Sequence, residues 1–249
     1  MKAFVGALLR AACGGMLLLA ACGGQGRREV VVAAASDLTN ALPELASAYY
    51  AKTGVTILPT FGASKLLATQ IEQGAPFMVF MSANAAFVDD VVRSGRCDGA
   101  TRALYARGHL ALWARAGTTN PPRSLAELSD ARFVHIAIAN PETAPYGAAA
   151  QAALEHAGVW DQVAPRVVRG ENIRQALQLA ESGNADVAIV SRSLVIGAHG
   201  TSVDVDEALL APIDQALVVC GPSADARAFV GWVNGAEGQG ILSRWGLGR

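Results

Sequence analysis

The chain has 249 residues, of which 52% are hydrophobic and 16% charged, with a formal net charge of −1. That composition supplies enough apolar surface for one large core or two small ones and excludes an intrinsically disordered chain. The near-neutral balance gives no support to a nucleic-acid partner, although a neutral protein can hold an anion through local dipoles.

At the N-terminus, Lys2 and Arg10 precede an apolar stretch, Met16-Leu17-Leu18-Leu19-Ala20-Ala21, that ends in small residues before Cys22. The stretch is too short to span a bilayer and reads as a secretory signal over residues 1–21. Leu19-Ala20-Ala21-Cys22 resembles the bacterial lipobox, which implies cleavage before Cys22 and a lipid on its sulfur. Losing Lys2 and Arg10 leaves 18 basic against 21 acidic residues, a net charge of −3. Residues 22–28 form a short polar tether. Cys97 and Cys220 then remain, and the sequence leaves open a single disulfide or two buried thiols.

Beyond the tether, strand-like and helix-like segments alternate, which predicts an α/β fold. Residues 30–35 are a continuous apolar run, as in a strand buried on both faces. Leu38, Ala41, Leu42, Leu45 and Tyr49 follow at helical spacing. Residues 55–61 predict a strand, 65–73 a helix, 77–81 a strand and 85–93 a helix that stops at Gly95. Residues 109–114 predict a strand, and Asn120-Pro121-Pro122 breaks the chain. A strand over 133–138 places His135 in the core, and a helix over 147–156 follows. A short strand at 167–168 precedes a helix lined by Ile173, Ala176, Leu177 and Ala180. Residues 187–190 and 217–220 predict strands, His199 falls in a loop, and a terminal helix carries Phe229, Val230 and Val233. So many βα units without a long linker predict two lobes: 29–107 completed by 212–249, and 108–211.

Four strand-to-helix junctions share one feature, small polar or glycine residues at the helix start. They are Ala35-Ser36-Asp37, Gly62-Ala63-Ser64, Ala144-Pro145-Tyr146-Gly147 and Gly170-Glu171-Asn172-Ile173. A helix start presents unpaired N–H groups and a partial positive charge, a natural place for an anion. Ser36, Ser64 and Tyr146 add neutral hydroxyl donors, which suit a fully ionised oxyanion because it only accepts. Ser and Asp at such positions are also ordinary N-caps, so each junction alone carries little weight. Asp37 is the residue of concern, since an inward carboxylate prefers a protonated ligand such as hydrogen phosphate. Its side chain is expected to cap a helix while its N–H faces the ligand.

At these residues the chain resembles the periplasmic molybdate-binding proteins of molybdate ABC transporters, from Val30 to Leu247. The carriers are Ala33-Ala34-Ala35-Ser36-Asp37-Leu38, Phe61-Gly62-Ala63-Ser64, and Gln70-Ile71-Glu72-Gln73-Gly74-Ala75-Pro76. Further on are Asn140-Pro141-Glu142-Thr143-Ala144-Pro145-Tyr146-Gly147, Gly170-Glu171-Asn172-Ile173-Arg174-Gln175-Ala176 and Asp186-Val187-Ala188-Ile189-Val190. The resemblance implies a two-lobed class II solute-binding fold with molybdate, or tungstate, in the cleft. It also implies an extracytoplasmic monomer, anchored through lipid on Cys22, that delivers its ligand to a membrane permease. No cofactor is implied. Any metal arrives inside the oxyanion, contacted through its oxygens. The implied donors are Ser36 and Ser64 from the first lobe, with Tyr146 and the backbone of Ile173 from the second. Some members place a ligand-binding tyrosine where this chain has Ser191 and others use the Tyr146 position, which makes Ser191 a secondary ligand candidate, with a structural role favoured over it. Met78 and Asn84 stand where the family usually has aspartates.

Other readings find less support. Gly-x-Ser-x-Gly is absent, and His109, His135, His156 and His199 sit in no catalytic pattern, so a hydrolase is disfavoured. No His-x-His or Cys-x-x-Cys pair offers a metal site, and nucleotide-binding glycine patterns are missing. Arg169 and Arg174 fit an amino-acid receptor only if they reach the cleft. Sulfate and phosphate remain alternative oxyanions.

Overall fold

The computed structural model of the protein describes residues 28–248, so the signal, Cys22 and all but the last residue of the tether lie outside the described residues. The elements run β1 (Glu29–Ala35), α1 (Ala41–Thr53), β2 (Thr56–Gly62), α2 (Ser64–Glu72), β3 (Val79–Ser82), α3 (Ala85–Arg93), β4 (Asp98–Gly108) and β5 (Leu110–Arg115). After them come β6 (Ile136–Ala139), α4 (Pro145–His156), α5 (Trp160–Val163), β7 (Val167–Gly170), α6 (Ile173–Glu181), β8 (Val187–Ser191) and α7 (Arg192–Val195). The chain ends with β9 (Gly200–Asp204), β10 (Ile213–Val219), α8 (Ala224–Asn234) and α9 (Ala236–Arg244).

The strands form two five-stranded mixed sheets, ordered β2-β1-β3-β10-β4 and β7-β6-β8-β5-β9. In the first, β1 runs parallel to β2 and β3, while β10 is antiparallel to β3 and β4. The second repeats the scheme, with β6 parallel to β7 and β8, and β5 antiparallel to β8 and β9. The chain leaves the first sheet at Gly108, enters the second at Leu110, and returns at Ile213. This is a two-lobed α/β fold.

Helices cover both faces of each sheet, which is why β3, β6 and β8 are buried at every residue and read as unbroken apolar runs. One face of the first sheet packs Leu38, Leu42, Leu45, Tyr49 and Phe229; the other packs Leu67, Ile71, Phe80, Val88 and Val91. The second lobe's core gathers Trp113, Leu128, Phe133, Ile138, Leu154 and Leu177, and it also takes in Ala35, Ala63 and Ala83 from the first lobe. Small side chains at those strand ends allow the lobes to touch. Polar contacts join them too: Asn40 Nδ2 donates to Ser193 O at 3.2 Å and Lys65 N–H to Thr143 O at 3.2 Å.

Several elements depart from the sequence reading. β4 is an edge strand whose pairing with β10 slips between Gln215 and Ala216, so Tyr105 and Ala106 are buried consecutively and the expected alternation is lost. β9 is a mostly exposed edge strand with little apolar signal. His135 is exposed ahead of β6 instead of sitting in the core, and its backbone N–H donates to Asp186 Oδ2 at 2.9 Å. Ser36–Leu38 forms a short 3-10 turn, so α1 begins only at Ala41; it closes at Gly54, φ +70°. The single terminal helix is two, broken at Gly235. Asn84, at a usual family aspartate position, caps α3 by accepting from Ala86 N–H at 2.8 Å.

Cys97, ahead of β4, is bonded to Cys220, just past β10, across a sequence separation of 123 residues. Closing so long a loop removes freedom from the unfolded chain. Replacing both cysteines by serine is expected to lower the unfolding free energy by about 2–4 kcal/mol, read from the midpoint of urea denaturation. An unchanged midpoint would contradict a stabilising role for this bond.

Candidate functional site

The four junctions meet in one place. Ala35, Ser36, Asp37, Gly62, Ala63, Ser64, Ala83, Ala144, Pro145, Tyr146 and Ile173 line a cavity between the carboxyl ends of the two sheets, with about 180 Å³ of empty space. The cavity is far smaller than the sites that hold drug-sized ligands, which makes it one for a small ion. No lysine, arginine or histidine lines it.

The helix starts here lack side-chain caps. The N-cap positions of the 3-10 turn, α2 and α4 are Ala35, Ala63 and Ala144, and none makes a capping hydrogen bond. Some helices elsewhere in the fold are capped, α3 by Asn84 and α8 by Ser223, while α1 and α9 are not. At α6, Asn172 caps through Gln175 N–H at 3.1 Å, two residues past Ile173. Ser64, Tyr146 and Ile173 are all buried, and their N–H groups have no protein acceptor among the described residues. The cap-only reading of these junctions therefore fails at three of four. The Ser64 hydroxyl accepts from Ala83 N–H at 3.1 Å, which leaves its proton to donate. Ser36 is buried as a residue, and its hydroxyl has no protein partner among the described residues.

Tyr146 and Asp37 behave differently from expectation. Asp37 does not cap a helix. Its carboxylate Oδ2 accepts from the Tyr146 hydroxyl at 3.1 Å and from Gln215 Nε2 at 2.7 Å. Gln215 is oriented by Tyr105, whose hydroxyl donates to its Oε1 at 2.6 Å, and its amide also donates to the Tyr146 hydroxyl at 2.8 Å. The phenol proton is thus engaged by Asp37, and the donor that Tyr146 leaves open is its backbone N–H. Burial drives the Tyr146 hydroxyl well above its ordinary pKa, with the Asp37 charge adding to the effect.

Tight backbone approaches make this network possible. A side chain at Gly108 would strike the Tyr146 hydroxyl, and one at Gly147 would strike the Ala139 carbonyl. Ser191 does not line the cavity. Ser193 Oγ donates to Asp37 O at 2.7 Å, so in the 2.8 Å contact between the two hydroxyls Ser191 is the donor. Arg174 pairs with Glu181 on its own helix, and Arg169 is exposed, so neither reaches the cleft. Gln215 and Tyr105 were not apparent from the sequence. The available signal was one amide on the inward face of an apolar strand, at 213, 215, 217 and 219.

A model of the bacterial extracellular solute-binding proteins matches residues 30–248. This chain belongs to that family. Among its relatives, the molybdate-binding protein of Rhodobacter capsulatus is 36% identical over 222 residues, 88% of this chain and 87% of that one. The solved periplasmic molybdate-binding protein of Azotobacter vinelandii aligns with a TM-score of 0.81 and 29% identity, covering 88% of this chain and 98% of that one. The sulfate-binding protein SubI of Mycobacterium tuberculosis, 17% identical over 89% of this chain and 86% of that one, has a TM-score of 0.75 and shares the fold. The relatives are solute-binding proteins, not enzymes.

One feature of this solute-binding protein sets a pH dependence. Burial pushes the Asp37 carboxyl up to about 6, against the opposing hydrogen bonds from Gln215 and Tyr146. Between 3.8 and about 6 the folded protein keeps a proton that the unfolded chain has released, so stability falls as pH rises through that window. Asp37→Asn keeps an acceptor oxygen without the charge and is expected to lose that slope. Urea unfolding of the unliganded protein should show wild type losing on the order of 3 kcal/mol relative to the variant between pH 4 and 7. Parallel pH profiles would contradict the burial of an ionised carboxylate.

Proposed function

We propose that this protein captures a small tetrahedral oxyanion outside the cytoplasm, molybdate first and tungstate with it, and delivers it to the permease of an ABC transporter. The observation that carries the reading is the convergence of uncapped helix starts and two serines on one small cavity lined by no cationic side chain among the described residues. Fixed dipoles and neutral donors hold an anion without attracting every carboxylate in solution. The named ligands of the Rhodobacter and Azotobacter relatives point to molybdate among such anions.

The proposed donors are the Ser36 and Ser64 hydroxyls and the backbone N–H groups of Ser64, Tyr146 and Ile173. They come from both lobes, 29–107 with 212–249 and 108–211, so a ligand held by all of them favours the closed arrangement by differential contact. The permease then reads the closed form. The protein works as a monomer, held at the membrane by lipid on Cys22. A second reading, hydrogen phosphate or another protonated oxyanion, has one observation in its favour: the carboxylate of Asp37 in the cavity wall.

Calorimetric titration with molybdate, tungstate, sulfate and phosphate tests the reading. Strong heats with the first two and little with the others are expected; a response to phosphate alone would select the second reading. Ser64→Ala should weaken molybdate binding by about 1.5–3 kcal/mol, one charge-assisted hydrogen bond. Unchanged affinity would remove Ser64 from the site. Cys22→Ala should release the protein from the membrane fraction, and retention would refute the lipid anchor.

A further inference from the structure

Asp37 is fully buried, lines the cavity, and has one oxygen with no partner among the described residues. Oδ2 takes both donors, from Tyr146 and Gln215, while Oδ1 is buried with none. The side chains that bond it are neutral, and the Ser36–Leu38 turn also packs against β2 and α6, where Arg174 is held by Glu181. α4 supplies Tyr146, β10 supplies Gln215, β4 supplies Tyr105 behind Gln215, and α7 supplies Ser193, which bonds the Asp37 carbonyl. Among the described residues, the other titratable groups that act on it are the two tyrosines. Burial raises both hydroxyls well above their ordinary range, so they stay neutral. Among the described residues, no side chain supplies a positive charge to offset the carboxylate.

A carboxylate in the wall of a small cavity repels a dianion placed there, and burial of the carboxylate weakens the screening between them. The lowest-energy remedy is to neutralise the weaker acid of the pair. Protonating Oδ1 leaves both existing bonds to Oδ2 intact, satisfies the orphaned oxygen, and turns Asp37 from an acceptor into a donor. Resting on the oxyanion reading above, we propose that Asp37 is a specificity-determining residue which takes up one proton from solvent when a fully deprotonated tetrahedral dianion binds. The balance is simple: carboxylate, one solvent proton and the dianion become the carboxylic acid beside the bound dianion, with no bond made or broken in the ligand.

The consequence is a site whose affinity follows pH although its ligand does not titrate. With the free carboxyl near 6, the proton is already in place in half of the molecules at that pH and must be collected above it. Affinity for the dianion then falls by about tenfold per pH unit well above that point, as for any binding step linked to one proton.

The test is calorimetric titration of the purified processed protein with molybdate and with tungstate at pH 6, 7 and 8, each in buffers of different ionisation enthalpy. Expected at pH 8 is an uptake approaching one proton per bound anion, with affinity lower than at pH 7 by about tenfold. Asp37→Asn, which presents a neutral side chain of the same shape, is expected to abolish the uptake and flatten the pH profile. Wild-type uptake needs no variant, so the proposal stays testable if that substitution impairs folding. Molybdate binding with no proton uptake and no pH dependence overturns the inference while leaving the oxyanion reading intact. Phosphate binding without uptake, lost in Asp37→Asn, also overturns it, because the carboxylate then accepts the ligand's own proton. Absence of heat with every anion overturns the oxyanion reading and this inference together.

Discussion

Backbone N–H groups at the start of a helix carry a partial positive charge and need acceptors, and burying them without one is costly. In this protein a side-chain cap is missing where three helical segments begin at the cleft, and the N–H groups of Ser64, Tyr146 and Ile173 meet no protein acceptor among the described residues. Something outside the protein can supply the missing acceptor. An anion does so without any basic side chain, which explains how a chain of net charge −1 can bind one.

The same cleft holds a carboxylate, and the two facts act against each other. Dipoles attract the anion and Asp37 repels it. Tyr105, Gln215 and Tyr146 partly stabilise the charge through hydrogen bonds, yet desolvation outweighs them. The network also ties lobes together, since Asp37 and Gln215 belong to the first lobe and Tyr146 to the second. Ionisation at one carboxyl and the contact between lobes therefore share atoms. Gly108 and Gly147 matter for the same reason: each admits a backbone approach that a larger residue would block.

Much of the fold was legible because most strands are buried on both faces and so appear as apolar runs, as in residues 30–35 and 187–190. The edges were not. β4 has a slipped register and β9 is largely exposed, so neither carries an alternating pattern. His135 misled because its apolar neighbours belong to the loop before β6 and the strand itself. The four junctions were visible as residue types, but whether Ser36 and Ser64 were caps or free donors depended on atoms far away in sequence.

By itself, the sequence determined the alternation of strands and helices, the two-lobed class and the placement of Ser36, Ser64, Tyr146 and Ile173 at helix starts, because periodicity and local chemistry are short-range properties. Tertiary structure alone decided the rest. It paired Cys97 with Cys220 and turned Asp37 from a local cap into a partner of Tyr146 and Gln215, residues 109 and 178 positions away. Those outcomes depend on which groups are desolvated together. Desolvation is set by how the two sheets pack against each other, which no local pattern records.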